Sequence, residues 1–249
     1  MLSQQLDLRS RVRTLSKNAK RVLVSIARMG GSARYSELKK KLMMADGVLT
    51  HSLNRLIEVG LIKQDSPKGD YKLTYLTPWI FLREDLGEFS DRLYYLGLLG
   101  VRRDEVEGPV YRVAVEFLAS RPTAKTAYRE AGLGVKPRYV WVVTSEKAKE
   151  SWESLSDVHQ WILLPDHYFW DMDIVKEKIG EIIEPILRDG VVVMDATGDG
   201  KPAALAFYEL ALEKMVPLIY IHRLPRDKKL RWLQSPIDIW RDLGLEVEV

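Results

Sequence analysis

The sequence predicts an α/β chain built from two dissimilar parts, and three observations carry that expectation. Residues 16–60 repeat apolar side chains at helical spacing three times, and two short apolar runs around a Pro-Gly loop follow. From residue 110 onward, short wholly apolar runs alternate with helical stretches, the pattern of strands covered on both faces by helices. The charge divides along the same line. Residues 1–80 hold 15 Lys or Arg against 6 Asp or Glu, a net +9, and residues 81–249 hold 23 against 29, a net −6; together they give the +3 of the whole chain.

Composition narrows the field. With 46% hydrophobic and 29% charged residues, the 249-residue chain reads as globular. It has no apolar window near the roughly 18 to 20 residues of a membrane helix. The opening MLSQQLDLRSRVR is unlike a secretory leader. There is no cysteine, which excludes disulfides, zinc–thiolate centres and Cys nucleophiles. A cytoplasmic location is expected.

The elements follow in order. A helix is predicted over 16–29, with Val22, Leu23, Ile26 and Ala27 on one face, Ser16 or Asn18 as its cap and Gly30-Gly31-Ser32 as its stop. A short helix over 35–42 presents Leu38 and Leu42. Ala45-Asp46-Gly47 turns the chain into a third helix over 48–59, with Leu49, Leu53, Leu56 and Ile57 inward and Gly60 at its end. Residues 61–64 and 71–76 form a hairpin around Asp65-Ser66-Pro67-Lys68-Gly69-Asp70.

Three helices and a hairpin in this order are a winged helix-turn-helix. The run LTHSLNRLIEVGLIKQDSPKGDYKLTYLTPW resembles the MarR and ArsR type of regulator over about sixty residues. Laid in a major groove, the third helix exposes Thr50, His51, Asn54 and Arg55 to base edges, while Lys63, Lys68 and Lys72 on the hairpin meet phosphates. Double-stranded DNA is the expected partner. A winged helix that serves instead as a protein-contact or dimerisation module is the alternative.

Residues 1–80 are thus read as the winged helix-turn-helix domain and 81–109 as a linker or dimerisation helix, with Phe89, Leu93, Leu96 and Leu99 on one face. The charged, Gly-Pro-ended stretch 101–109 is read as the boundary to a Rossmann-like domain over 110–249. Residues 111–119 fit strand or helix equally. Strands are expected at 139–144, 161–164, 191–194 and 218–221, with helices at 146–155, 172–187 and 203–214, giving a Rossmann-like parallel sheet with helices on both faces.

The stretch VVVMDATGDGKPAALAFYELAL then places a tight loop, residues 195–202, between a buried strand and a helix. Open α/β sheets bind ligands at that edge. Gly198 and Gly200 allow close backbone approach, the helix N-terminus favours an anion, Lys201 adds a positive charge and Thr197 a hydroxyl. The spacing matches neither a Walker loop nor G-x-G-x-x-G, so a plain structural turn remains an alternative.

In its setting, Asp-x-Thr-Gly-x-x-Lys-Pro after an apolar strand and before a helix of small residues resembles the ligand loop of CRISPR-associated Rossmann-fold (CARF) domains, commonly Thr-Gly-Gly-Thr-Lys-Pro. Thr197, Gly198, Lys201 and Pro202 match, whereas Asp199 and Gly200 depart from the pattern. A strand ending in hydroxyl residues before a helix, here Thr144 and Ser145, fits that family's second motif, and residues 119–126 are the candidate for its first ligand loop. The resemblance implies a homodimer, a cyclic oligoadenylate as nucleotide second messenger, and no cofactor. It also implies two alternatives: a ring nuclease using Lys201 and Thr197, or a regulator whose second domain only dimerises.

His159 and His167, with Asp157, Asp166, Asp171 and Asp173, have no recognised metal-ligand spacing. The cluster 166–170 is expected on the same edge as Gly198. The basic residues 223–231 read as solvated surface.

Overall fold

The computed structural model describes residues 8–77, 79–82, 86–102, 108–121, 131–152, 155–198, 200–224 and 227–244, without the side chains of 82, 88 and 222–229. The N-terminal part runs α1 (Leu8–Arg13), α2 (Lys17–Arg28), β1 (Ser32–Ala33), α3 (Tyr35–Leu42), α4 (Asp46–Glu58), β2 (Ile62–Gln64) and β3 (Tyr71–Leu73). Ser16 caps α2, its hydroxyl accepting from the Ala19 amide at 3.2 Å. Ala19, Val22, Leu23, Ile26 and Ala27 line the buried face of that helix. Gly60 ends α4 with φ at 71°, a conformation that costs other residues strain.

The small sheet has the order β1-β3-β2, antiparallel throughout. Helix, strand, helix, helix and hairpin together make the winged helix-turn-helix. One expectation fails here: Ile57 is 38% exposed rather than inward, because Leu49, Leu53 and Leu56 already fill the face of α4 turned to the core.

The C-terminal part continues with β4 (Leu93–Leu98), α5 (Val110–Ala119), β5 (Tyr139–Thr144), α6 (Glu146–Ser151), β6 (Gln160–Leu163), α7 (Met172–Asp189), β7 (Val191–Asp195), α8 (Lys201–Lys214), β8 (Leu218–Leu224), β9 (Asp227–Gln234) and α9 (Pro236–Asp242). These six strands form one sheet in the order β6-β5-β4-β7-β8-β9, with β9 alone antiparallel. Numbered within the sheet this is 3-2-1-4-5-6, the Rossmann order.

The helix expected over 89–99 is replaced by 3-10 turns at Trp79–Leu82 and Gly87–Arg92 and then by β4 at the middle of the sheet. Leu93, Tyr95 and Leu99 join the core on one face, and Leu96 and Leu98 the core on the other. A strand apolar on both sides has no period of two, so its leucines imitated helical spacing. The six-stranded sheet therefore begins well before residue 110. The run 223–231, read as basic surface, instead supplies the end of β8 and the first part of β9, which pair with each other.

The two parts share one hydrophobic core, which extends from Val12 through Leu56 and Tyr95 to Trp240. The chain leaving β3 is bonded to the end of α7 and the start of β7. The Leu76 amide donates to Leu187 O at 2.8 Å. The buried Thr77 hydroxyl donates to Gly190 O and accepts from the Val192 amide, both at 3.0 Å. At the far end, Arg9 meets Asp242 at 3.0 Å and Lys20 Nζ donates to Leu243 O at 2.8 Å.

Candidate ligand site and nucleic-acid surface

The carboxyl ends of β4, β5 and β7 converge where the order of strands reverses, the place open α/β sheets reserve for ligands. Three contacts tie them. The Thr144 hydroxyl donates to Leu99 O at 2.5 Å, the Leu99 amide to Val143 O at 3.0 Å, and the Gly100 amide to Gly198 O. Gly198 lies directly on β4: a Cβ there would sit 1.6 Å from Leu98 O. Its lack of a side chain is required by the neighbouring backbone.

Beneath the loop lies a buried polar centre. Asp195, 1% exposed, accepts from the Tyr95 hydroxyl at 2.6 Å, from the Thr197 amide at 2.9 Å, and from the Thr197 hydroxyl. That hydroxyl also accepts from the Ile221 amide at 2.8 Å. Thr197 is thus occupied in fastening the loop to β8. Burial pushes the Asp195 carboxyl up, while the bonds from Thr197 and Tyr95 favour its ionised form and hold it back. Burial, aided by the nearby Asp195, raises the Tyr95 hydroxyl well above its ordinary value.

Above the loop is a cleft of about 240 Å³, lined by Gly100, Ser145, Lys147, Asp166, Trp170 and Gly200 among others. Ser145 is 5% exposed and its hydroxyl caps α6, accepting from the Ala148 amide at 3.3 Å. Thr144 is fully enclosed. The N-cap position of α8 is Gly200, and the first residue of the helix, Lys201, is exposed. The positive end of a helix dipole attracts anions. Trp170, 76% exposed, stands on the rim at the end of the 3-10 turn Asp166–Trp170.

Of the residues marked in the sequence, Ser145 and Gly200 line this cleft, Lys201 follows it, Thr197 and Gly198 build its floor, and Thr144 is structural. Asp199 lies outside the described residues, as do 122–126 of the candidate first loop. Next to β7 the sheet places Leu99-Gly100-Val101, the loop following β4. Gly100, Lys147 and Tyr95 carried no motif. Gly97, a glycine inside an apolar run, was the available signal for β4.

The acidic and histidine candidates have other tasks. Asp157 is clamped by Arg112 Nε and Nη2, each at 2.9 Å, and by the Tyr111 hydroxyl at 2.6 Å, and the Arg112 bond leads in holding its carboxyl down to about 2. His159 Nδ1 accepts from the Val140 amide, and Asp171 caps α7. No metal-binding cluster occurs among the described residues. None of the described helices is long and apolar enough to cross a membrane.

On the winged helix, Thr50, His51 and Asn54 are exposed along α4, and the Thr50 hydroxyl lies 3.3 Å from that of Tyr35. Arg55 is half-buried and pairs with Glu58 at 2.8 Å. Lys72 pairs with Asp65 at 2.5 Å across the wing, while Lys63 and Lys68 are exposed.

The architecture is therefore a winged helix-turn-helix joined to a sheet of Rossmann order. No protein-family model and no curated protein sequence matches the chain. Among solved structures it is similar to Csm6 of Enterococcus italicus bound to cyclic hexa-2'-fluoro-hexa-dAMP, with 8% identity and a TM-score of 0.39 over 61% of this chain and 38% of that one. The chain thus spans well under half the length of that protein.

Proposed function

We propose that this chain is a DNA-binding regulator whose Rossmann-like part senses a cyclic oligoadenylate-type nucleotide, and that it acts as a homodimer. The observation that carries the reading is the N-terminus of α8, which opens with the exposed Lys201 beside the switch-point cleft of Gly100, Ser145 and Gly200. Backbone amides, a helix dipole and a lysine suit a phosphodiester. The matches at Thr197, Gly198, Lys201 and Pro202 to the CARF loop point the same way.

Leu205, 54% exposed, and Tyr208 lie one and two turns along α8 from Lys201, an apolar stripe that supports self-association beside the cleft. In such a dimer, a ligand on the two-fold axis sets the separation of the two α4 helices and so the affinity for spaced half-sites. Ring-nuclease chemistry gains no support from Thr197, whose hydroxyl is engaged by Asp195 and Ile221.

The test is thermal unfolding with cyclic tetra- and hexa-adenylate beside linear oligoadenylates. Ligand at 100 times its dissociation constant adds about 2.7 kcal/mol of stability. A rise for one ring size, lost in Lys201→Ala, supports the sensor; no rise with any of them removes it.

A further inference from the structure

A second concavity lies away from the switch point, between α2, the end of α3 and the turn after α9. It is an open groove of about 760 Å³. Five cations line it: Lys17, Lys20, Arg21 and Arg28 from α2, and Lys41 from α3. Its described lining contains no carboxylate, and α2 (KNAKRVLVSIAR) has no acidic residue. Lys20 donates to the Leu243 carbonyl, a contact that leaves its charge uncancelled. Leu15, Val24 and Leu42 supply an apolar floor.

The helix-and-wing face differs. There Lys39 is paired with Asp46, Arg55 with Glu58, Lys72 with Asp65 and Arg34 with Asp70. Four of that face's cations are thus set against carboxylates, whereas Lys20, Arg21, Arg28 and Lys41 form no ion pair among the described residues.

We propose that this groove binds the sugar-phosphate backbone of nucleic acid and supplies the larger, sequence-independent share of the affinity, leaving α4 to read bases. Lys20 to Arg28 spans about 12 Å of helix, and one strand of duplex presents a charge every 3.4 Å or so along its axis, hence about three or four over that length. A row of cations of this length matches a strand better than a single phosphate. The apolar floor suits sugars, and the described lining presents no carboxylate to repel a phosphate. The inference rests on the reading of the chain as a nucleic-acid binder and adds a second surface to it.

The test is the salt dependence of binding to a random-sequence duplex of about 20 base pairs, two helical turns. The full chain is compared with the triple variant Arg21→Ala, Arg28→Ala, Lys41→Ala and with the double variant Lys63→Ala, Lys68→Ala. Each lost phosphate contact lowers the slope of log K against log salt by about 0.9, so the groove variant is expected to lose about 2.7. All three groove positions are exposed, and thermal unfolding verifies that the variant is folded. A wild-type slope in the groove variant, with the loss confined to the Lys63 and Lys68 variant, overturns the groove and leaves DNA binding standing. Failure of the wild-type chain to bind duplex overturns both readings. Binding of poly-L-glutamate, abolished in the groove variant while duplex is ignored, overturns the proposal in favour of an acidic protein partner.

Discussion

The Tyr95 hydroxyl reaches Asp195 Oδ2 at 2.6 Å in the closed interior of the sheet, and Gly97 makes the contact possible. Gly97 is the register partner of Asp195 on the adjacent strand. A Cβ on Gly97 would lie 2.2 Å from the Tyr95 oxygen, so the ring occupies the space that a side chain would take. Tyr95, Gly97 and Asp195 thus form one unit, and the loop carrying Thr197 and Gly198 is mounted on it.

Tyr95→Phe removes one of the donors to a buried carboxylate. The expected loss is about 1–3 kcal/mol, measured by denaturant unfolding. The same unit has a pH signature. Asp195 holds its proton more tightly folded than unfolded, so stability falls as pH rises from the ordinary carboxylate value of about 3.9 towards the raised folded value, then levels off. Asp195→Asn flattens that segment of the stability profile, and Tyr95→Phe extends it to higher pH because a bond to the ionised form is lost. A profile unchanged in Asp195→Asn would show that another group titrates there.

The two described glycines of the loop are expected to respond differently. Gly198→Ala drives a Cβ into the Leu98 carbonyl, a backbone atom unable to swing away, and loses about 3 kcal/mol, the upper end for overpacking. Gly200→Ala meets only Pro202 Cδ at 3.8 Å, and φ is −58°. Its stability stays within about 0.5 kcal/mol of wild type. Thermal unfolding of the pair decides it, and equal losses refute the steric account.

Thr77 links the winged helix to the start of β7, the strand whose other end carries the loop of Thr197 and Gly198. Thr77→Val keeps the shape but leaves the Gly190 carbonyl and the Val192 amide without their buried partner. The expected loss is about 1–3 kcal/mol, while Thr77→Ser retains both bonds and most of the stability. If Val and Ser behave alike in urea titration, the hydroxyl is not what joins the two parts.

Much of the N-terminal part was legible because its helices pack one face on a core and expose the other, so spacing, the Ser16 cap and the Gly60 stop are all local signals. The strands β5, β6, β7 and β8 were equally plain as short apolar runs between helices, and a glycine-containing loop after β7 marked the carboxyl edge of the sheet. Other features depend on residues distant in sequence. The central strand β4 passed for a helix because both its faces are covered, and β9 was hidden among charges because its pairing with β8 is a property of the sheet.

What the sequence alone determined is the kind of local structure: three amphipathic helices and a hairpin, then an alternating α/β chain with its phosphate-like loop. Tertiary structure decided what individual residues do. Thr197 is held by Ile221, Gly198 is required by Leu98, and Asp195 is matched to Tyr95 a hundred residues earlier. Local pattern records which face is apolar, since burial follows periodicity. It holds no record of which strand becomes a neighbour, and that adjacency sets the hydrogen-bond partners and steric limits of the site.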